Sequence, residues 1–207
     1  MNFLAHLYFS PQTPDALLGS LLGDFVKGPV DRAGYNAEIA AGIRLHRAID
    51  TFTDSHPVVL ASKARISPAR RRYAGILVDI YFDHFLARDW AQFHDEPLDR
   101  FAASTYRALS ATTQPLPEGF ARMLPHLVAG DWLTSYRSLD GIRVALDRMS
   151  HRARPGNPLL GSADELEHQL PAFEDDFRRF FAQLRRRIAD DGLASSDGVG
   201  HPAPVST

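Results

Sequence analysis

Acids and histidines occupy positions where this chain should bury hydrocarbon, and that conflict limits the folds open to it. From Ala37 to Asp54, residues His46, Asp50 and Asp54 recur at i, i+4 and i+8 on the stripe that carries Ile39 and Ile43. At 100° per residue this stripe lies opposite an outward band of Arg44, Ala48 and Thr51, so His46 and Asp50 point inward. The segment Arg70 to Phe93 repeats the anomaly. Asp79 and Asp83 share a face with Trp90, are flanked by Ile76, Ile80, Phe82 and Leu86, and are followed directly by His84. A carboxylate in apolar surroundings is costly unless paired or bound to a cation, and two at i, i+4 repel unless a proton or cation lies between them. The pattern implies a helical fold built round a divalent-metal centre.

Helical periodicity runs through the rest of the chain and strand-like alternation does not, so the expected fold is all-α, a single-domain helical bundle over residues 1–191. Thr13-Pro14 opens a helix reaching about Val26, which Gly28-Pro29 stops, and Asn36 caps the next, which ends before Pro57. Ser67-Pro68 is expected to open a long third helix, apolar on nearly all sides as a central element should be, that closes at His94 to Pro97. Shorter helices follow over residues 98–109, 120–128 and 138–152. Ser162 with Glu165 forms a capping-box pattern for a final helix to about Asp190, with a kink expected at Pro171. The tail, residues 192–207, is small and polar and is expected to be disordered.

Composition removes whole classes of chemistry. With no cysteine among 207 residues there are no disulfides, thiolate nucleophiles or thiolate-held zinc, which fits a reducing cytoplasm. A formal net charge of −2 does not mark a nucleic-acid binder or a polybasic membrane protein. No apolar stretch reaches membrane-spanning length, and the N-terminus lacks the basic flank and cleavage site of a signal peptide. Gly-rich phosphate loops, nucleophile elbows and dinucleotide fingerprints are absent as well.

His46 and Asp50 can present an imidazole and a carboxylate to one ion, Asp79 and Asp83 can do so with two carboxylates, and His84 can converge from the adjacent position. Asp24, a helix-end acid that opposes the macrodipole, calls for compensation by a metal or by Lys27. Asp54 is read as a supporting group or as turn chemistry, and His6 as a satisfied core histidine. The His94-Asp95 doublet sits beside Glu96-Pro97 in an expected loop and is set aside. Oxygen and imidazole donors without thiolates suit Mn²⁺, Mg²⁺ or Fe²⁺, and a cation so held activates water and neutralises phosphate, which makes phosphate-ester hydrolysis the expected reaction.

Five blocks carry a resemblance: MNFLAHL at residues 1–7, GDFVKG at 23–28, AGIRLHRAIDTFTD at 41–54, DIYFDHFLA at 79–87 and DWLTSYR at 131–137. Together they resemble the bacterial acyl carrier protein phosphodiesterases, relatives of the HD-domain phosphohydrolases. The resemblance implies an HD-domain-like bundle in which Asp24, His46, Asp50, Asp79, Asp83 and His84 hold metal and run the chemistry. It implies removal of 4′-phosphopantetheine from the serine of holo-acyl carrier protein, assisted by Mn²⁺ or Mg²⁺. The alternative is an HD-type hydrolase of nucleotides or other small phosphate esters. Acyl carrier proteins are acidic, so a nearly neutral enzyme must meet them with a local basic patch. The run Lys63, Arg65, Arg70, Arg71 and Arg72 is the expected docking face.

Overall fold

The computed structural model describes residues 1–190, so the expectation for residues 192–207 lies outside the described residues. Eleven α-helices, in chain order, account for the architecture, with no strand among the described residues. They are α1 (Phe3–Phe9), α2 (Pro14–Leu22), α3 (Ala37–Ser55), α4 (Pro57–Arg65), α5 (Ala74–Arg88), α6 (Leu98–Ser110), α7 (Glu118–Ala129), α8 (Trp132–Ser135), α9 (Leu139–Arg152), α10 (Ala163–His168) and α11 (Leu170–Asp190). None of the described helices is long and apolar enough to cross a membrane.

Local chemistry sets most of the helix starts. Thr13 accepts a hydrogen bond from Ala16 N–H ahead of Pro14, Asn36 accepts from Ile39 N–H, and Ser138 accepts from Gly141 N–H. His56 ends α3 and caps α4, its Nδ1 accepting from Val58 N–H. The core is centred on α5, in which every residue from Ile80 to Ala87 is buried. Against it α11 lays Phe173, Phe177, Phe180 and Phe181, a stripe at i, i+4, i+7 and i+8 that is buried throughout.

Two expected helix starts are corrected. The third helix does not begin at Pro68: residues Pro68–Tyr73 wind as a 3₁₀ segment and the α-helix starts at Ala74. The cause is Arg70, whose guanidinium reaches the Pro158 and Leu160 carbonyls and the Glu165 carboxylate and pins the segment to the far end of the chain. The final helix is two helices, broken at Gln169, and Pro171 occupies the first turn of the second rather than a kink. Glu165 does not close a capping box with Ser162. It accepts instead from the Ser67 N–H and hydroxyl and from Arg70, ties worth more than one exposed cap.

The same contacts show how the residues of the expected docking face are held. Lys63 pairs with Asp54 at 2.7 Å, Arg65 with the buried Asp176 at 2.9 Å, Arg70 with Glu165, and Arg71 donates to the Ile66 carbonyl. These cations are consumed in holding the fold together, and only Arg72 of the run is left without a partner among the described residues.

Candidate metal centre

The site begins with two helices that touch backbone to backbone. A Cβ on Gly19 of α2 would lie 2.3 Å from the Ile39 carbonyl oxygen, and one on Gly42 of α3 would lie 2.8 Å from that of Ala16. Only glycine permits this approach, and it fixes the register of α3 against α2. As a result His46 of α3 donates through Nδ1 to the Ser20 carbonyl at 2.7 Å. A carbonyl can only accept, so Nδ1 carries the proton and Nε2 faces the Asp24 and Asp50 carboxylates, the orientation that metal-binding imidazoles adopt. Gly23 completes the fit, since a Cβ there would stand 2.2 Å from the His46 ring.

From α1, His6 stacks face to face on His46, with ring centroids 3.7 Å apart and planes 11° apart. Both Nε2 atoms converge on Asp50: His6 Nε2 lies 3.2 Å from Oδ1 and His46 Nε2 lies 3.0 Å from Oδ2. Asp24 adds Oδ1 at 3.4 Å from His46 Nε2. His6, His46 and Asp50 thus offer one donor atom each within 4.8 Å of one another, a grouping able to hold a metal ion. His6 is satisfied on one side only: its Nε2 also lies 3.3 Å from the Met1 carbonyl oxygen, and its Nδ1 is buried with no hydrogen-bond partner among the described residues.

The electrostatics fit one shared positive charge. Burial drives the His6 pKa down to about 4, helped by the neighbouring His46. Burial also works against a charged His46, but hydrogen bonds to Asp24 and Asp50 outweigh it and raise its pKa to about 9. Burial likewise opposes the Asp50 charge, and the His46 and His6 bonds overcome that and lower its pKa. Asp24 is lowered chiefly by its bond to His46. Two ring nitrogens and two carboxylates, arranged round one proton, are the donor set a divalent cation takes in its place.

Asp79 joins the cluster through the chain terminus. The Met1 α-ammonium donates to Asp79 Oδ1 at 3.0 Å and lies 3.9 Å from Asp50 Oδ1. Burial disfavours this ammonium, yet the Asp79 and Asp50 carboxylates raise its pKa. Asp24, Asp50, Asp54 and Asp79 line a cleft of about 410 Å³ together with Phe3, Ile80, Met123, Trp132 and Met149. At its mouth Arg152 lies over the Trp132 ring, 5.5 Å from the centroid. Asp54 stands at the rim, bound to Lys63.

Asp83 and His84 are not brought to the cluster. Asp83 is fully buried and accepts from the N–H groups of Asn2, Leu4 and Ala5 at 3.3, 2.7 and 3.3 Å, which caps the N-terminus of α1. Burial pushes its pKa up to about 7, against the pull of the Met1 ammonium and of the Leu4 and Ala5 N–H groups. Its oxygens accept from the start of α1, whereas Asp79 faces the Met1 ammonium. His84 donates Nδ1–H to the Tyr136 carbonyl at 2.8 Å, behind α5, and burial lowers its pKa. His94 lies in the loop, stacked on Trp90 with its Nδ1 accepting from Glu96 N–H.

The chain was compared with known proteins. Residues 1–184 match the family model described as acyl carrier protein phosphodiesterase. The chain belongs to the acyl carrier protein phosphodiesterase family. Curated relatives bearing that name include one from Pectobacterium atrosepticum, 37% identical over 185 residues, covering 89% of this chain and 95% of the relative. One from Klebsiella pneumoniae is 36% identical over 187 residues, covering 90% and 96%, and one from Escherichia coli is 32% identical over 194 residues, covering 93% and 100%. No solved structure matches the chain. In this member of the acyl carrier protein phosphodiesterases, the matched span holds the whole cluster and every residue lining the cleft.

Reading the sequence alone missed Met1, Gly23, Trp132, Met123, Met149 and Arg152. Met123 and Met149 look like ordinary core positions, and Trp132 and Arg152 reach the cleft only through tertiary packing. His6 did carry a signal, since it stands within the first of the five resembling blocks.

Proposed function

We propose that this protein is a divalent-metal-dependent phosphodiesterase that removes 4′-phosphopantetheine from the serine of holo-acyl carrier protein. The observation that carries this reading is the convergence of His6, His46 and Asp50 on one point, with Asp50 itself lining a cleft that also presents apolar side chains, in a chain of this family. His6 and His46 would hold the ion through Nε2 and Asp50 through its carboxylate, with Asp24 beside them. When bound, Mn²⁺, Mg²⁺ or Fe²⁺ supplies Lewis acidity toward water and phosphate.

The chain's own groups do the rest. The Ser20 carbonyl holds the His46 tautomer, and Asp50 positions both imidazoles. Asp79 has Oδ1 tied to the Met1 ammonium, while Oδ2 is without a hydrogen bond among the described residues and can take a proton from the attacking water. The water oxygen bonds to phosphorus, the bond from phosphorus to the serine oxygen breaks, and that oxygen takes a proton from solvent. The products are apo-carrier and free phosphopantetheine. Phe3, Met123, Trp132 and Met149 offer the apolar wall that the methyl and methylene groups of a pantetheine arm would cover.

The test is to incubate purified protein with holo-acyl carrier protein and Mn²⁺, with and without a chelator, and to follow the carrier by mass spectrometry. Loss of the prosthetic group that stops on chelation is expected. An unchanged carrier with Mn²⁺, Mg²⁺ and Fe²⁺, alongside hydrolysis of small phosphate esters, would replace this reading with the small-ester one. A second expectation concerns Gly23→Ala. Its methyl would displace the His46 ring, so Mn²⁺ affinity measured by calorimetry should fall about 10- to 100-fold while far-UV circular dichroism stays at wild type.

A further inference from the structure

A second groove opens on the outer side of the Trp132 and Arg152 pair. It encloses about 500 Å³ and is lined by His126, Ala129, Gly130, Trp132, Arg148, His151 and Arg152. Two arginines and two histidines stand among its seven lining residues, and no acid does. Arg148, His151 and Arg152 are exposed on the last turns of α9 and make no ion pair among the described residues. Their neighbours differ: Arg143, earlier on the same helix, is committed to Asp164 and Glu167, and Arg137 to Asp99. Asp140 lines an adjoining shallow depression together with Arg148, and Asp131, between Gly130 and Trp132, accepts from the Tyr106 and Thr134 hydroxyls.

The groove and the cleft share Trp132 and Arg152, so the two adjoin, yet the charged residues lining them are largely of opposite sign. The cleft is lined by Asp24, Asp50, Asp54 and Asp79 and would repel an acidic partner that approached it directly. A cationic surface one side chain beyond the rim offsets that repulsion and leaves only a thin, weakly charged arm to pass Trp132. In the basic run at residues 63–72, by contrast, Lys63, Arg65 and Arg70 are ion-paired within the fold.

We propose that the Arg148, His151 and Arg152 face of α9 is the docking surface for an acidic protein, the carrier whose serine-linked arm enters the cleft. This rests on the function proposed above. It assigns a place on the molecule to the partner and makes Arg152 the hinge between the docking surface and the chemistry.

The test uses the double substitution Arg148→Glu with His151→Glu, both outside the cleft. Two substrates carry the same scissile bond: holo-acyl carrier protein, and a short neutral peptide bearing phosphopantetheinyl-serine. The expected result is a KM for the carrier raised about tenfold or more at low salt, with a flattened salt dependence of kcat/KM. The peptide's kinetics and the melting temperature should stay at wild type, and apo-carrier binding by calorimetry should weaken in parallel with the rise in KM. If wild type consumes the carrier and the double variant does so with unchanged KM and salt slope, the docking face is wrong. Equal damage to carrier and peptide would also overturn it, by assigning these residues to the site or the fold. A wild-type protein inactive on the carrier, with no binding of apo-carrier, would be the separate failure of the underlying function and would take the docking face with it.

Discussion

Asp50→Ala is expected to lower kcat on holo-acyl carrier protein by about 1000-fold or more, roughly 4 kcal/mol of lost transition-state stabilisation, while the protein melts near the wild-type temperature. The asymmetry follows from where Asp50 stands. It is the one group that both His6 Nε2 and His46 Nε2 face, at 3.2 and 3.0 Å, so its loss removes a donor and releases the two imidazoles together. Its side chain is about one-third exposed, at 35%, and Asp24 remains to pair with His46, so little of the fold depends on it. His6→Ala should behave alike in turnover. The measurements are steady-state kinetics with saturating Mn²⁺, metal content after gel filtration, and thermal melting. An Asp50→Ala enzyme that keeps near-normal metal-dependent turnover would remove the proposed centre.

Asp83→Ala is expected to do the reverse, damaging the fold first and activity only as a consequence. The substitution strands the N–H groups of Leu4 and Ala5 in the interior and that of Asn2 at its edge, and it withdraws negative charge from the Met1 ammonium. Leaving several buried donors unsatisfied should cost about 3 kcal/mol or more. For a chain of this length that lowers the melting temperature by about 6–12 °C. Because α1 carries His6, turnover should drop too, and raising Mn²⁺ should restore part of it by binding the folded form. A variant that melts like wild type yet is inert would return Asp83 to the catalytic group.

These opposite expectations mark how far the sequence is legible. His46 and Asp50 stand out because α3 is long enough for a polar pair at i, i+4 to be seen against a buried stripe. His6 escapes the same logic, for α1 has seven residues, too few for a face to be defined, and all from Leu4 to Phe9 are buried. Asp83 is legible as a buried acid, but its partners are not. A buried acid can be satisfied by a cation or by a row of N–H groups, and here the donors lie 78 to 81 residues away in the chain. The arginines at 65 and 70 carry the same lesson, since their partners at 176 and 165 come from the last two helices. Caps and turns, decided within a few residues, were legible at Thr13, Asn36 and Ser138. Glu165 was not, because long-range ties to Ser67 and Arg70 outcompete the local cap.

The glycine crossing of α2 and α3 bears on the order in which the molecule assembles. Its contacts join residues about twenty apart, Gly19 with Ile39 and Ala16 with Gly42, so this hairpin can close early at small entropic cost. It brings Ser20, Asp24, His46 and Asp50 into place by itself. His6 arrives only when α1 is captured by Asp83, a closure over a much longer loop. A chain emerging from the ribosome therefore carries His46, Asp50 and Asp24 once α3 has formed and gains His6, the fourth donor, only after α5 has been made. Until then the hairpin offers one imidazole to any passing ion, so firm ion capture would be a late event in the birth of the protein.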